Sequence, residues 1–304
     1  MKTYRISLKV HSAVLTPFQA DTIFGHLCWV VAHQDGQKGI DEFIQPFREK
    51  NPPFVISDGF PGDLLPKPMS VEFGIDDPLE RKATKGIDFL SVDEFESIRK
   101  GEKVTPRIPD GLPVTSVASH NVISRITHAT PMEGGVYAFE ETFVPDVTIY
   151  LKAISEAWRD RVAELLKELS KVGYGKRKSI GKGQFLVREV VKFDFAEIEK
   201  ANGFVSLCGY CPAEDDPTEG FYRTFVKYGK LGEEFTFCGN PFKRPLLMIR
   251  TGSVFETSGE PKEFYGRIVQ DGIAPAKREA IQYGYAFALP VNINDSAIFG
   301  HKGT

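Results

Sequence analysis

The sequence predicts an α+β chain: a βαββαβ lobe interrupted by a long insertion, then a second, β-rich lobe. Three observations predict it. Apolar residues alternate at both ends of the first 200 residues. Two stretches carry helical periodicity between those ends. After about residue 198 the chain turns to β-branched and aromatic runs, FVSLCGYC, FTFCG, RPLLMIRTGSVF and YGYAFALPVN.

Residues 3–10 alternate as a strand, and the same alternation distinguishes this N-terminus from a secretion signal. Residues 19–32, QADTIFGHLCWVVA, read as a mostly buried helix, with Pro17 ahead of it and Asp21 as cap or first-turn acid. From about 50 to 135, Pro and Gly recur and periodicity fades, predicting loops and an irregular insertion. FVPDVTIYLKAI (143–154) is β-rich. A helix follows over 155–171, with Trp158, Val162, Leu165, Leu166 and Leu169 on one face. Ser155 suits its start, Lys167 and Lys171 its negative end, and Gly173 its closing turn. A glycine loop comes next, then the strand QFLVREVVKF. This order is the ferredoxin-like pattern. The expected division is 1–198, with an insertion at about 50–140, and 199–304.

With 304 residues and 41% hydrophobic content, the chain can bury a sizeable core. No run is long enough to span a bilayer, so a cytoplasmic protein with no membrane partner is expected. Cys28, Cys208, Cys211 and Cys238 make no disulfide framework. Cys208 and Cys211 form one CxxC without a second pair or nearby histidine, which favours buried thiols over zinc. Neither a metal nor a cofactor is expected.

The net charge of −3 excludes a protein that coats nucleic acid through overall basicity. Positive charge is instead local: Trp158–Lys192 holds ten Lys/Arg against four Asp/Glu. Its centre is VGYGKRKSIGKGQF. This is not an NTPase phosphate loop, because Lys176 stands where glycine is required and Gly183 where Ser or Thr should follow. It also leaves a helix and enters a strand, the reverse of phosphate-binding polarity. Gly173, Gly175, Gly181 and Gly183 nonetheless allow positive φ and close approach, which would expose N–H donors. Lys176, Arg177, Lys178 and Lys182 attract phosphates, and Ser179 offers a hydroxyl. A plain, flexible helix-to-strand connection fits the same residues.

Four stretches together resemble the RAMP superfamily of CRISPR proteins. They are the G-x-G-x5-G-x-G-x-F loop (Gly173 to Phe185), the first-helix run QADTIFGHLCWVVA, the segment HNVISRITHATPMEGGVYAFEETF (120–143), and YGYAFALPVN. Within the superfamily they most resemble the fourth-subunit family of the type III-A Csm effector complex. The resemblance implies two ferredoxin-like (RRM-like) lobes and a β-hairpin inside the insertion. It also implies a non-catalytic, antiviral role: binding the repeat-derived 5′ handle of crRNA and joining the large subunit to the backbone RAMP subunit. By the family pattern Asn121, Arg125 and Thr127 are RNA-binding positions, and His120 adjoins them. Alternating with Val122 and Ile126, these polar residues are expected to share one face of an extended stretch. The alternatives are a RAMP endoribonuclease processing precursor crRNA, and the equivalent type III-B subunit. For the endoribonuclease, His26, His11, His120 and His128 are the proton-transfer candidates, although His26 lies in an apolar run and reads as a core histidine. Among the aromatics, Tyr174 is the one expected to stack on a base.

Overall fold

A computed structural model describes residues 1–71, 86–237, 239–270 and 272–293. The first sheet is antiparallel and holds β1 (Lys2–Val10), β2 (Phe54–Pro61), β7 (Asp146–Ala153) and β8 (Phe185–Lys192), in the spatial order β2-β7-β1-β8. Tyr4, Ile6, Leu8 and Val10 point to one side and are buried. That side is covered by α1 (Ala20–Arg48) and by the helix Glu156–Val172, numbered α3 below. The sequence therefore forms its βαββαβ unit. One boundary moves: Phe54–Pro61, expected within the insertion at about 50–140, is a strand of this sheet. It bulges between Ile56 and Gly59 and carries Asp58-Gly59, which hides the strand's alternation.

Helix α1 runs past the expected 19–32. Gly36, at φ +68, breaks its dihedrals, and Phe43, Ile44 and Phe47 bury the second half. No side chain of its own caps it; Asp58 Oδ1 accepts the Ala20 N–H at 2.7 Å instead. Ser155 caps α3, accepting from Trp158 N at 3.4 Å. Between β2 and β7 lie β3 (Leu64–Pro66), β4 (Phe89–Ser91), α2 (Val92–Arg99) and a hairpin of β5 (Val114–Asn121) and β6 (Val136–Phe143). Ser91 and Glu94 form a capping box at the start of α2.

The second sheet is β9 (Gly203–Ser206), β10 (Gly220–Phe221), β13 (Val254–Glu256), β14 (Phe264–Gly266) and β15 (Tyr285–Val291), ordered β10-β13-β9-β15-β14. Two further strands, β11 (Thr224–Lys227) and β12 (Leu246–Ile249), pair as a separate ribbon. Among the described residues this half has no α-helix, so it lacks helices of its own to cover its sheet. FTFCG, expected as a strand, lies at a 3-10 turn over Glu233–Phe237. Cys238 lies outside the described residues. The 285–291 run is core: Tyr285, Phe287, Leu289 and Val291 belong with Val205, Leu207, Ile6 and Tyr150 to one cluster that spans both sheets, and the Phe287 ring meets that of Tyr150. Burying both sheets against each other supplies the apolar contact that a second helical layer would have given.

Asp58 ties the halves together. Its N–H donates to Leu207 O at 2.9 Å, and the Thr251 hydroxyl donates to its Oδ2. Cys208 is a buried thiol, donating to Tyr285 O and accepting the Phe287 N–H, each at 3.2 Å. No helix of the described residues is long and apolar enough to cross a membrane.

Candidate nucleic-acid interface

Helix α3 ends as the sequence requires. Gly173, at φ +86, donates its N–H to Leu169 O at 2.9 Å. Tyr174 then turns inward. Its ring stacks on Phe18 with centroids 4.4 Å apart, and its hydroxyl donates to Pro17 O at 2.7 Å. The expectation that Tyr174 stacks on a base is therefore corrected: the ring is fully buried and fills the space between α1 and the first sheet.

The ends of the loop are clamped to protein. The N–H of Tyr174 donates to Gly183 O at 2.9 Å, and that of Gly183 to Ala13 O at 3.0 Å. The Gly175 N–H donates to His26 Nε2 at 3.1 Å, and the Lys176 N–H to Thr16 Oγ1 at 3.2 Å. A Cβ on Gly183 would lie 2.0 Å from Tyr174 O, and one on Gly175 2.8 Å from the Thr16 side chain. These two glycines make room for the chain itself. Their N–H groups are spent, which corrects the expectation of glycine amides open to a phosphate.

The crown of the loop is different. Arg177 is left-handed, at φ +65, and leads into a 3-10 turn over Lys178–Ile180. Among the described residues, the backbone N–H groups of Arg177, Lys178 and Ser179 have no hydrogen-bond acceptor. Successive free N–H groups at a left-handed residue and the turn after it form a concave donor set suited to an anion. Gly181, at φ +82, has open space around it. Lys176, Arg177 and Ser179 are exposed, whereas Lys178 and Lys182 are half-buried. Lys178 pairs with Glu233 at 2.5 Å, and Lys182 with Glu141.

Opposite the crown stands the β5–β6 hairpin. Cross-strand pairing puts His120 beside Tyr137 and Ala118 beside Phe139, so these share a face with Glu141. The His120 ring stacks on Phe139 at 4.4 Å, and its buried Nε2 has no hydrogen-bond partner among the described residues. The Arg177 guanidinium lies 5.4 Å from the Tyr137 ring centre and 5.7 Å from that of Phe139. Loop and hairpin thus form a cradle of half-exposed rings and cations.

The polar residues of 120–127 do not share a face. Asn121 lies on the opposite side of the hairpin from His120, with Nδ2 donating to Thr130 Oγ1 at 3.0 Å. Arg125 and Thr127 sit beyond β5 in a turn organised by Ser124, whose Oγ accepts from the N–H of Ile126 and Thr127, each at 3.3 Å. An extended stretch to 127 was the wrong local geometry, because pairing ends at Asn121. The cradle holds His120, Arg177, Lys176 and Lys182; Asn121, Arg125 and Thr127 belong to the hairpin tip and far face. Sequence reasoning passed over Tyr137, Phe139, Glu141 and Glu233. The period-two spacing of Tyr137, Phe139 and Glu141 in VYAFEETF was the available signal for three of them.

His26 serves the loop. Its Nε2 lone pair accepts the Gly175 N–H, and burial, with Lys178 adding to it, lowers its pKa to about 4. A neutral ring whose acceptor nitrogen is engaged holds the loop in place and offers no free base. His11 and His128 are exposed. Among the described residues no cluster of His, Cys, Asp and Glu could hold a metal.

No family model matches the chain, and no curated protein matches it by sequence. Solved structures do. A chain of the Csm3–Csm4 subcomplex of the type III-A CRISPR–Cas interference complex matches with TM-score 0.66 and 15% identity, over 96% of this chain and 100% of that one. A chain of the Csm1–Csm4 cassette in complex with pppApA matches with TM-score 0.64 and 19% identity over the same shares. The cassette in complex with cA4 gives 0.63 and 18%, again with 96% and 100% covered. The component common to these assemblies is Csm4. The chain has the Csm4 fold. The resemblance read from four sequence stretches thus holds at the level of the fold, antiparallel sheets with few helices, over 96% of the chain.

Proposed function

We propose that this chain is the crRNA-binding subunit of a type III-A effector, holding the repeat-derived 5′ handle. In the assembled particle it joins a large subunit to a backbone RAMP subunit. The observation that carries the reading is the cradle between loop and hairpin: exposed Lys176 and Arg177, the free N–H run of 177–179, and the His120–Tyr137–Phe139 stack. Single-stranded RNA asks for this combination, cations and amides for phosphates and ring faces for splayed bases. Solved neighbours in which this fold stands with Csm1 and with Csm3 support the two subunit contacts. The lobes are read as paired ferredoxin-like units, the second completed by the first in place of helices of its own. The reading also makes the chain cytoplasmic and non-catalytic, since the histidine of the first helix spends its lone pair on the loop.

The test is binding of handle-bearing and scrambled RNAs of equal length, with sequencing of whatever RNA copurifies from the native host. Tighter binding of the handle, steep salt dependence and intact RNA recovered are expected. Equal affinity for both RNAs removes handle recognition. Metal-independent cleavage that disappears in His26→Ala removes the non-catalytic assignment.

A further inference from the structure

The β11–β12 ribbon carries an unusual charge pattern. Gly220–Gly232 and Gly239–Ser253 hold six Lys/Arg and no Asp or Glu, in a protein with 41 acids to 38 bases. Val226 pairs with Leu247, and a bridge between Lys230 and Phe242 prolongs the ribbon. The inner face is anchored. Lys227 Nζ lies 2.8 Å from Asp21 Oδ2, and Lys243 Nζ donates to Ile281 O at 2.7 Å.

Residues one step out of phase with these anchors face outward. Tyr228 is 77% exposed and Phe242 60%, flanked by exposed Lys230 and Arg244; Arg223 and Arg250, also exposed, lie at the other end of the ribbon on the face of Lys227, with the Arg250 guanidinium 5.6 Å from the Phe225 ring centre. Among the described residues, none of these four cations has an ion-pair partner within 4 Å. Past Leu231 the ribbon's turn reaches Glu233, which pairs with Lys178 of the loop crown. The ribbon is therefore contiguous with the cradle. Two acid-free stretches on an acidic protein complement a polyanion, and exposed rings between cations supply the ring faces and charges on which a single-stranded nucleic acid is held.

We propose that the outer face of this ribbon is a stacking platform for single-stranded RNA, with Tyr228 and Phe242 taking bases and Lys230 and Arg244 the phosphates. It takes its ligand class from the RNA reading above and extends the bound length beyond the cradle. The experiment compares the full chain, Tyr228→Ala/Phe242→Ala and Lys176→Ala/Arg177→Ala for binding of a 20-nucleotide oligouridine. The ribbon variant should bind more weakly by roughly 30-fold or more, as removal of two stacking rings implies, with an unchanged melting temperature. Tyr228→Trp should bind normally, with its added fluorescence quenched by RNA. A ribbon variant that binds like the unaltered chain overturns the platform and leaves the cradle standing if the loop variant is weakened. If only the ribbon variant is weakened, the platform stands and the cradle falls. Normal RNA binding with loss of a copurifying protein subunit overturns the platform in favour of a protein-docking face.

Discussion

The glycine loop and the tip of the β5–β6 hairpin are both polar, glycine-containing connections, yet they are held in opposite ways. The loop is clamped at both ends by hydrogen bonds to residues 13–26, and two of its glycines have protein where a side chain would be. The hairpin tip rests on bonds within its own few residues, around Ser124 and from Val122 N–H to Gly135 O, and projects Ile126 and Met132 almost wholly into solvent. One connection is rigid because the fold fills it. The other is free because almost nothing does. Only the crown of the loop, residues 176–181, shares the openness of the tip, and that is where a ligand finds unspent groups.

The sharpest break of this contrast is within the loop. Gly183→Ala should destabilise by about 2–5 kcal/mol, since its Cβ would strike the Tyr174 carbonyl at a positive φ. Gly181→Ala, at positive φ but in open space, should cost only about 1–2 kcal/mol. Denaturant titration of both variants measures the difference, and equal destabilisation would show that the loop ends are not clamped.

Asp58 extends the comparison to the joint between the halves. Burial raises its carboxyl to about 7, against the hydrogen bonds from Ala20 and Thr251. A folded-state pKa above the unfolded value means that the proton is held more tightly in the folded chain. The stability this group contributes is complete below about pH 4 and is lost as pH rises through about 7. Unfolding measured between pH 5 and 8 should show the larger part of that decline, on the order of 2–3 kcal/mol. Asp58→Asn should flatten it, and an unchanged profile would place the titration elsewhere.

At the crown, Lys176→Ala/Arg177→Ala should weaken RNA binding by about 10-fold or more at low salt, and the slope against salt should fall by about 0.7 for each phosphate no longer neutralised. Lys178→Ala and Lys182→Ala should weaken it less, because each already neutralises a glutamate. The smallest effect belongs to the hairpin tip. Ile126→Ser and Met132→Ser should change the stability of the isolated chain by no more than about 0.5 kcal/mol.

Much of the fold was legible because periodicity reports burial directly. β1, the first half of α1 and α3 each bury one face, and each shows it in sequence. β2 escaped notice because a bulge and a buried aspartate interrupt its alternation, and the second half of α1 because Gly36 and Pro46 read as breaks. The site was legible in part. Glycine and charge marked the loop, but composition does not tell whether a glycine yields its space to a ligand or to a neighbouring carbonyl. Gly183 and Gly181 are alike in sequence and opposite in surroundings. Likewise, His120 and Asn121 are adjacent in the chain and lie on opposite faces of the hairpin, a separation fixed by strand register. The partners Glu141 and Glu233 come from distant segments that no local pattern connects to the loop.

Lys178 and Lys182 each arrive at the crown already matched with a carboxylate, one from the second half of the chain and one from the hairpin. A phosphate settling there would have to displace a resident anion. Tallying basic residues therefore overstates the ion release: the slope of log affinity against log salt contributed by this loop should correspond to about two neutralised phosphates, not four. A slope matching all four cations would mean that both glutamates are evicted on binding, so that the guide's arrival loosens the ties between the loop, the hairpin and the second sheet.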